Sequence, residues 1–162
     1  MVSVSSLGAS LYVPATHKDL QQIANGELLC HLRSVIFCTE DSVAESELSY
    51  ALFNLGLALQ KMPDCSSLAR FVRVRNPYVM QRVLEMPGSE KLDGFVLPKA
   101  TRFNFDDYFQ QICNTKHMLM PTLETIEVFS ATEMQLFREC LERPSVKDRI
   151  LAIRIGGNDL LA

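Results

Sequence analysis

The stretch Ser34-Val-Ile-Phe-Cys38 is a short apolar run, and Thr39-Glu-Asp41 follows it directly. Beyond these acids, Leu48, Leu52, Leu55, Leu59 and Met62 recur at intervals of four and three, the spacing that lines one face of a helix. An apolar run, an acidic corner and an amphipathic helix together make one βα unit, with the leucine face packed on the sheet.

Working outward, the same unit recurs along the chain. Further apolar runs are Ser10-Leu-Tyr-Val-Pro14, Phe71-Val-Arg-Val-Arg75, Gly94-Phe-Val-Leu-Pro98, Met118-Leu-Met-Pro121 and Ile150-Leu-Ala-Ile-Arg-Ile155. Six short runs alternating with helical patterns predict a mainly parallel sheet. Thr16 with Asp19, Ser42 with Glu45 and Ser130 with Glu133 fit the capping box, and Asn104 is a fourth candidate cap. Gly26 is placed to stop the first helix, while Pro63 and Pro87 punctuate the second and third helical regions. No low-complexity linker interrupts the pattern, so residues 1–162 are expected to form one domain.

Composition narrows the function. With 48% hydrophobic and 22% charged residues in 162, the chain has the makeup of an ordinary globular domain. A net charge of −3 without Lys or Arg runs leaves no footprint for a phosphate backbone, so nucleic acid is not an expected partner. No apolar stretch approaches the roughly 20 residues that cross a bilayer, and the opening residues lack a signal-peptide pattern, so no membrane partner and a cytoplasmic location are expected. Five cysteines (Cys30, Cys38, Cys65, Cys113, Cys140), odd in number and without a C-x-x-C pair, are expected to be buried reduced thiols. His17, His31 and His117 lack H-E-x-x-H spacing, and no glycine-rich nucleotide loop is present.

In parallel α/β sheets ligands sit beyond the carboxyl ends of the strands. The residues there are Thr16 and His17, Glu40 and Asp41, Arg73 or Arg75 with Asn76, Lys99, Glu124, and Asn158 with Asp159. From Asp41 onward, Arg73, Lys99, Glu124 and Asp159 follow at steps of 32, 26, 25 and 35 residues, close to the roughly 30 of a βα repeat, which places them on one rim. Singly, each has a plain structural explanation: Glu40 and Asp41 as helix-start acids, Arg73 as half of a barrel ion pair.

Taken in order, these strand ends resemble the HpcH/HpaI aldolase and citrate lyase beta-subunit superfamily. The matching pieces are Leu11-Tyr-Val-Pro14, Ser34-Val-Ile-Phe-Cys-Thr-Glu-Asp-Ser-Val43, Val72-Arg-Val74, Asp93-Gly-Phe-Val-Leu-Pro-Lys99, Met120-Pro-Thr-Leu-Glu-Thr125 and Ile155-Gly-Gly-Asn-Asp-Leu160. The resemblance implies a (β/α)8 TIM barrel. It implies a lyase or aldolase that makes or breaks a carbon–carbon bond in a 2-oxo acid or acyl-CoA through a metal-stabilised enolate. It implies Mg²⁺ (or Mn²⁺) held by Glu124 and Asp159, catalytic roles for Arg73, Glu40 and Asp41, and substrate binding by Arg73 with Lys99 and Asn76. A homo-oligomer is also implied. Cys38, Thr39 and Arg75 depart from the family's usual residues, and Ala9-Ser10 stand where an Arg usually precedes the first strand, which points to a divergent carbon–carbon bond lyase branch. With about six βα units in place of eight, the barrel is expected to be incomplete. The competing expectation is a catalytically inactive barrel serving in ligand binding or assembly, or an inactive fragment.

Overall fold

The computed structural model describes residues 2–64 and 67–161. Six parallel strands lie in sequence order: β1 (Ser10–Pro14), β2 (Ser34–Cys38), β3 (Ala69–Arg73), β4 (Gly94–Leu97), β5 (Met118–Leu123) and β6 (Arg154–Ile155). Between and after them run α1 (Leu20–Asn25), α2 (Leu48–Lys61), α3 (Pro77–Leu84), α4 (Phe105–Ile112), α5 (Ala131–Leu141) and α6 (Gly157–Leu160). Each strand pairs with the next, as in Ser34↔Ala69, Gly94↔Met118 and Thr122↔Arg154, and the six form a half-barrel of the α/β TIM type.

Strand alternation divides the apolar residues between two layers. Val35, Phe37, Val72, Phe95 and Leu119 face the helices and join Leu52, Leu55 and Leu59 of α2 in the larger core. Ile36, Phe71, Val96 and Met120 face the barrel interior, with Leu7 and Leu151 at its base. Farther along the same interior face, toward the carboxyl ends, come Arg73, Thr122 and then Glu124.

Local signals hold in part. Ser130 Oγ accepts from the Glu133 amide at 3.3 Å, as its capping box requires, and Gly26 ends α1 in the left-handed region at φ 76°. Thr16 and Ser42 do not cap. His17 Nδ1 takes the Asp19 amide and α1 starts only at Leu20, while a 3₁₀ turn at Glu45–Glu47 stands between Ser42 and α2. Asn104 occupies the cap position of α4, but its side chain turns back to the Thr101 amide and the Lys99 carbonyl. The expectation of buried thiols is also corrected: Cys38 is buried, Cys140 partly so, and Cys30 and Cys113 are exposed at the loop and helix end that follow α1 and α4. Cys65 lies outside the described residues.

Four strands differ from their apolar runs: β4 stops one residue short of Pro98, β5 continues two residues past Pro121, and β3 and β6 differ more. β3 covers Ala69–Arg73, two residues earlier than expected, because Ala69 and Arg70 pair with Ser34 and Val35 and β2 ends opposite Arg73. β6 is two residues long. Ahead of it, Ile150 makes one isolated bridge to Leu119 and Leu151 donates its amide to the Leu119 carbonyl.

Candidate active site at the carboxyl rim

β2 and β3 deliver the first part of the site. Thr39 donates both its amide (3.0 Å) and its hydroxyl (2.9 Å) to the Arg73 carbonyl, tying the two strand ends together. The chain then turns at Glu40 and Asp41. Arg75 fixes that turn by donating to the carbonyls of Thr39, Glu40 and Val43, and by pairing with Glu45 at 2.7 Å. Arg75, the departure from the family's Asn, thus staples the acidic corner.

Arg73 collects three carboxylates. Its Nε donates to Glu40 Oε2 (2.8 Å), and one terminal nitrogen donates to Asp41 Oδ2 (2.8 Å) and Glu124 Oε1 (3.1 Å). Burial by itself would lower the guanidinium pKa, but Glu124, Glu40 and Asp41 outweigh it and hold it above its ordinary value. Glu40 is shifted upward, first by burial and then by its hydrogen bond with Asp41, against the pull of Arg73.

Glu124 closes the cluster from β5. The Lys99 amide donates to the same Oε1 at 2.7 Å, and Lys99 adopts a left-handed φ of 48°, costly for a residue with a Cβ. Lys99 Nζ lies 3.7 Å from Glu40 Oε1. The hydrogen bonds that Glu124 makes to described residues fall on Oε1. Its other oxygen lies against Gly156, where a Cβ would collide with Glu124 Oε2 and Glu124 Cβ. Gly156 therefore lets the turn after β6 approach Glu124, and the Gly156 amide binds the Leu123 carbonyl at 2.9 Å. One turn on, Asp159 sits exposed in α6.

Between these pieces lies a cavity of about 250 Å³, lined by Tyr12, Asp41, Arg73, Thr122, Glu124, Arg154 and the segment 155–159. The expected residues Asp41, Arg73, Glu124 and Asp159 line it together, and Glu40 joins through Arg73. Asn76 is used differently. It is exposed, and its Oδ1 accepts the Val79 amide at 2.9 Å, capping α3. Tyr12, Thr122 and Arg154 were not anticipated. A cation inside the apolar run before Gly156, and a Tyr on the interior face of β1, are the sequence signals that mark two of them.

Among the described residues, no group of three or more His, Cys, Asp or Glu side chains is gathered around one point in the way of a metal site built of protein ligands alone. A hard cation that keeps several waters needs fewer, and two carboxylates suit it. Glu124 Oε2, without a hydrogen bond to any described residue, and Asp159 on the same cavity fit that donor set.

The profile of carbon–carbon bond lyases of the TIM-barrel fold (C-C_Bond_Lyase) matches residues 1–162. The chain belongs to this family. No curated protein sequence matches it. Among solved structures, malate synthase of Haloferax volcanii with magnesium and glyoxylate is similar at TM-score 0.71 and 13% identity, over 93% of this chain and 52% of that one. The same enzyme with pyruvate and acetyl-CoA matches at 0.71 and 14%, over 93% and 48%. The citrate lyase beta subunit of M. tuberculosis with oxaloacetate and magnesium matches at 0.59 and 18%, over 94% and 59%. These likenesses bear out the barrel fold, and the family match bears out the carbon–carbon bond lyase resemblance. The chain spans about half the length of these structures. No helix among the described residues is long and apolar enough to cross a membrane.

Proposed function

We propose that this chain carries the half-site of a Mg²⁺-dependent (or Mn²⁺-dependent) lyase or aldolase acting on a carbon–carbon bond of a 2-oxo acid or acyl-CoA. The observation that carries the proposal is the division of labour within Glu124. Its Oε1 is held by Arg73 and the Lys99 amide, while Oε2 is left for a ligand in the cavity that Asp159 also lines.

Glu124 and Asp159 would hold the cation, which when bound supplies Lewis-acid stabilisation of the enolate charge. The protein's own residues do the rest. Arg73 keeps Glu40, Asp41 and Glu124 converged at fixed distances, so the acids need no reorganisation as charge develops. Glu40, whose carboxyl keeps its proton to higher pH than usual, is suited to hand over or take up a proton at the rim. In the cleavage direction the hydroxyl proton leaves to a base and a carbonyl forms. The carbon–carbon bond breaks, and its electron pair passes to the enolate fragment, which a proton then quenches. Arg73, through its remaining terminal nitrogen, would contact a substrate carboxylate in the cavity, and Lys99, beside Glu40, would reach it from the rim; Asn76, spent on α3, is the weakest of the proposed substrate contacts. One domain, a homo-oligomeric state and a cytoplasmic setting belong to the same proposal.

Titrating Mg²⁺ against thermal stability tests it, since a ligand specific to the folded state stabilises by about 2.7 kcal/mol at a hundred times its Kd. Wild type should gain stability at millimolar Mg²⁺ and Glu124→Gln should not. Equal behaviour of the two removes the metal and the lyase assignment with it. A second reading, a barrel that binds its ligand without turnover, draws support from Arg73 itself, whose Nε and one terminal nitrogen are consumed within the protein. Product analysis with candidate acyl-CoA and 2-oxo acid substrates separates the two.

A further inference from the structure

Arg154 is the one cation on the cavity with no carboxylate partner among the described residues. It stands on β6, paired in register with Thr122 of β5, so both side chains face the barrel interior. Its guanidinium carbon lies 5.4 Å from the centroid of the Tyr12 ring, and that of Arg73 lies 5.9 Å from the same ring. The aromatic ring thereby holds Arg154 at the cavity wall while leaving its N–H donors unspent. Thr122, only 2% exposed, lines this cavity, and its buried hydroxyl oxygen has no hydrogen-bond partner among the described residues. A buried hydroxyl left without a partner costs free energy that a bound ligand would recover.

The two features ask for the same thing. A fork of N–H donors beside an idle hydroxyl matches a carboxylate, which accepts two N–H bonds from an Arg and a further bond from an O–H. Arg73 cannot supply that fork, because Glu40, Asp41 and Glu124 already take its Nε and one terminal nitrogen. Of the two cations that line the cavity, Arg73 is met by acids and Arg154 is the positive group left for a ligand. A volume of about 250 Å³ lies below the roughly 300–1,000 Å³ of pockets for drug-sized ligands, which suits a small acid.

We infer that Arg154 and Thr122 form a carboxylate subsite, with Tyr12 as its positioning residue, that selects small acids carrying a second carboxylate beyond the group bound at Glu124 and Asp159. This rests on the proposed metal site, and the experiment keeps the two separable. Malate and lactate share a 2-hydroxy acid head and differ by one distal carboxylate. Calorimetric titration at saturating Mg²⁺ should find malate bound at least about tenfold more tightly than lactate, a factor that one charge-assisted contact supplies. Arg154→Gln should abolish that preference while leaving the Mg²⁺ titration and lactate binding within about twofold, and Arg154→Lys should restore part of it. Thr122→Val should weaken malate about threefold. Equal malate preference in wild type and Arg154→Gln overturns the subsite. So does a wild type that binds Mg²⁺ but neither acid. A wild type that binds no Mg²⁺ overturns the subsite and the metal reading together.

Discussion

The rim at β2, β3 and β5 and the rim at β6 and α6 face one cavity but are built on opposite plans. On the first, every charge is answered within the protein: Arg73 meets three acids, the Lys99 amide meets Glu124, and Arg75 staples the turn. On the second, among the described residues, Arg154 and Asp159 are answered by nothing but an aromatic ring and an open cavity, on a two-residue strand and a four-residue helix. The closed side costs desolvation and gains geometry, and the open side keeps its charges in reach of a ligand. A half-site needs both, because fixed acids alone would bind only their own arginine.

The largest effect should come from opening the closed side. Arg73→Met leaves three carboxylates converged without their cation, two of them buried, and should cost about 3–5 kcal/mol in urea unfolding. Arg73→Lys should recover less than half, since one ammonium cannot span three acids from that position. Next, Gly156→Ala joins the two sides by force. The added methyl meets the Glu124 carboxyl, so stability should fall by about 1–3 kcal/mol and the Mg²⁺ response should disappear with it. Arg75→Ala should cost about 1–2 kcal/mol through the three carbonyls it abandons in the 39–43 turn. On the open side, Asp159→Asn should leave stability within about 0.5 kcal/mol, because that carboxylate is exposed and no described residue pairs with it. A large loss there would erase the contrast.

The smallest effect is a pH signature away from the rim. His117 is buried, with Nε2 donating to the Ser89 carbonyl at 2.9 Å and Nδ1 without a partner among the described residues, so the folded chain favours the neutral ring. Burial lowers its pKa, and the Ser89 contact does not compensate. Below the ordinary histidine range near pH 6.5 the unfolded chain then binds a proton that the folded chain refuses, and stability falls with pH until the folded ring also titrates. His117→Gln should flatten the melting temperature between pH 7 and the lower end of that window.

Much of the fold was legible because alternation is a strong signal. The runs at 10–14 and 34–38 became strands with those limits, and the leucine stripe of α2 packed as its spacing required. The run at 71–75 misplaced β3 because buried Arg70, a strand residue by register with Val35, does not look apolar. The six-residue run at 150–155 overstated β6, since apolar content says nothing about whether a neighbour offers its carbonyls. At the site, Glu40, Asp41, Arg73, Glu124 and Asp159 were readable as strand-end charges. Thr122 was not, because a hydroxyl becomes a site feature only through what the neighbouring strand brings beside it. Asn76 shows the converse, a polar residue at a strand end that the next helix had already claimed.

The most direct test is a calorimetric titration of Mn²⁺ into wild type, Glu124→Gln and Asp159→Asn, with circular dichroism confirming that each chain is folded. One bound ion per chain in wild type, lost in both variants, is the expected result. Undiminished binding in a folded Asp159→Asn chain would mean that these two carboxylates do not share a cation, and the site as described would be wrong.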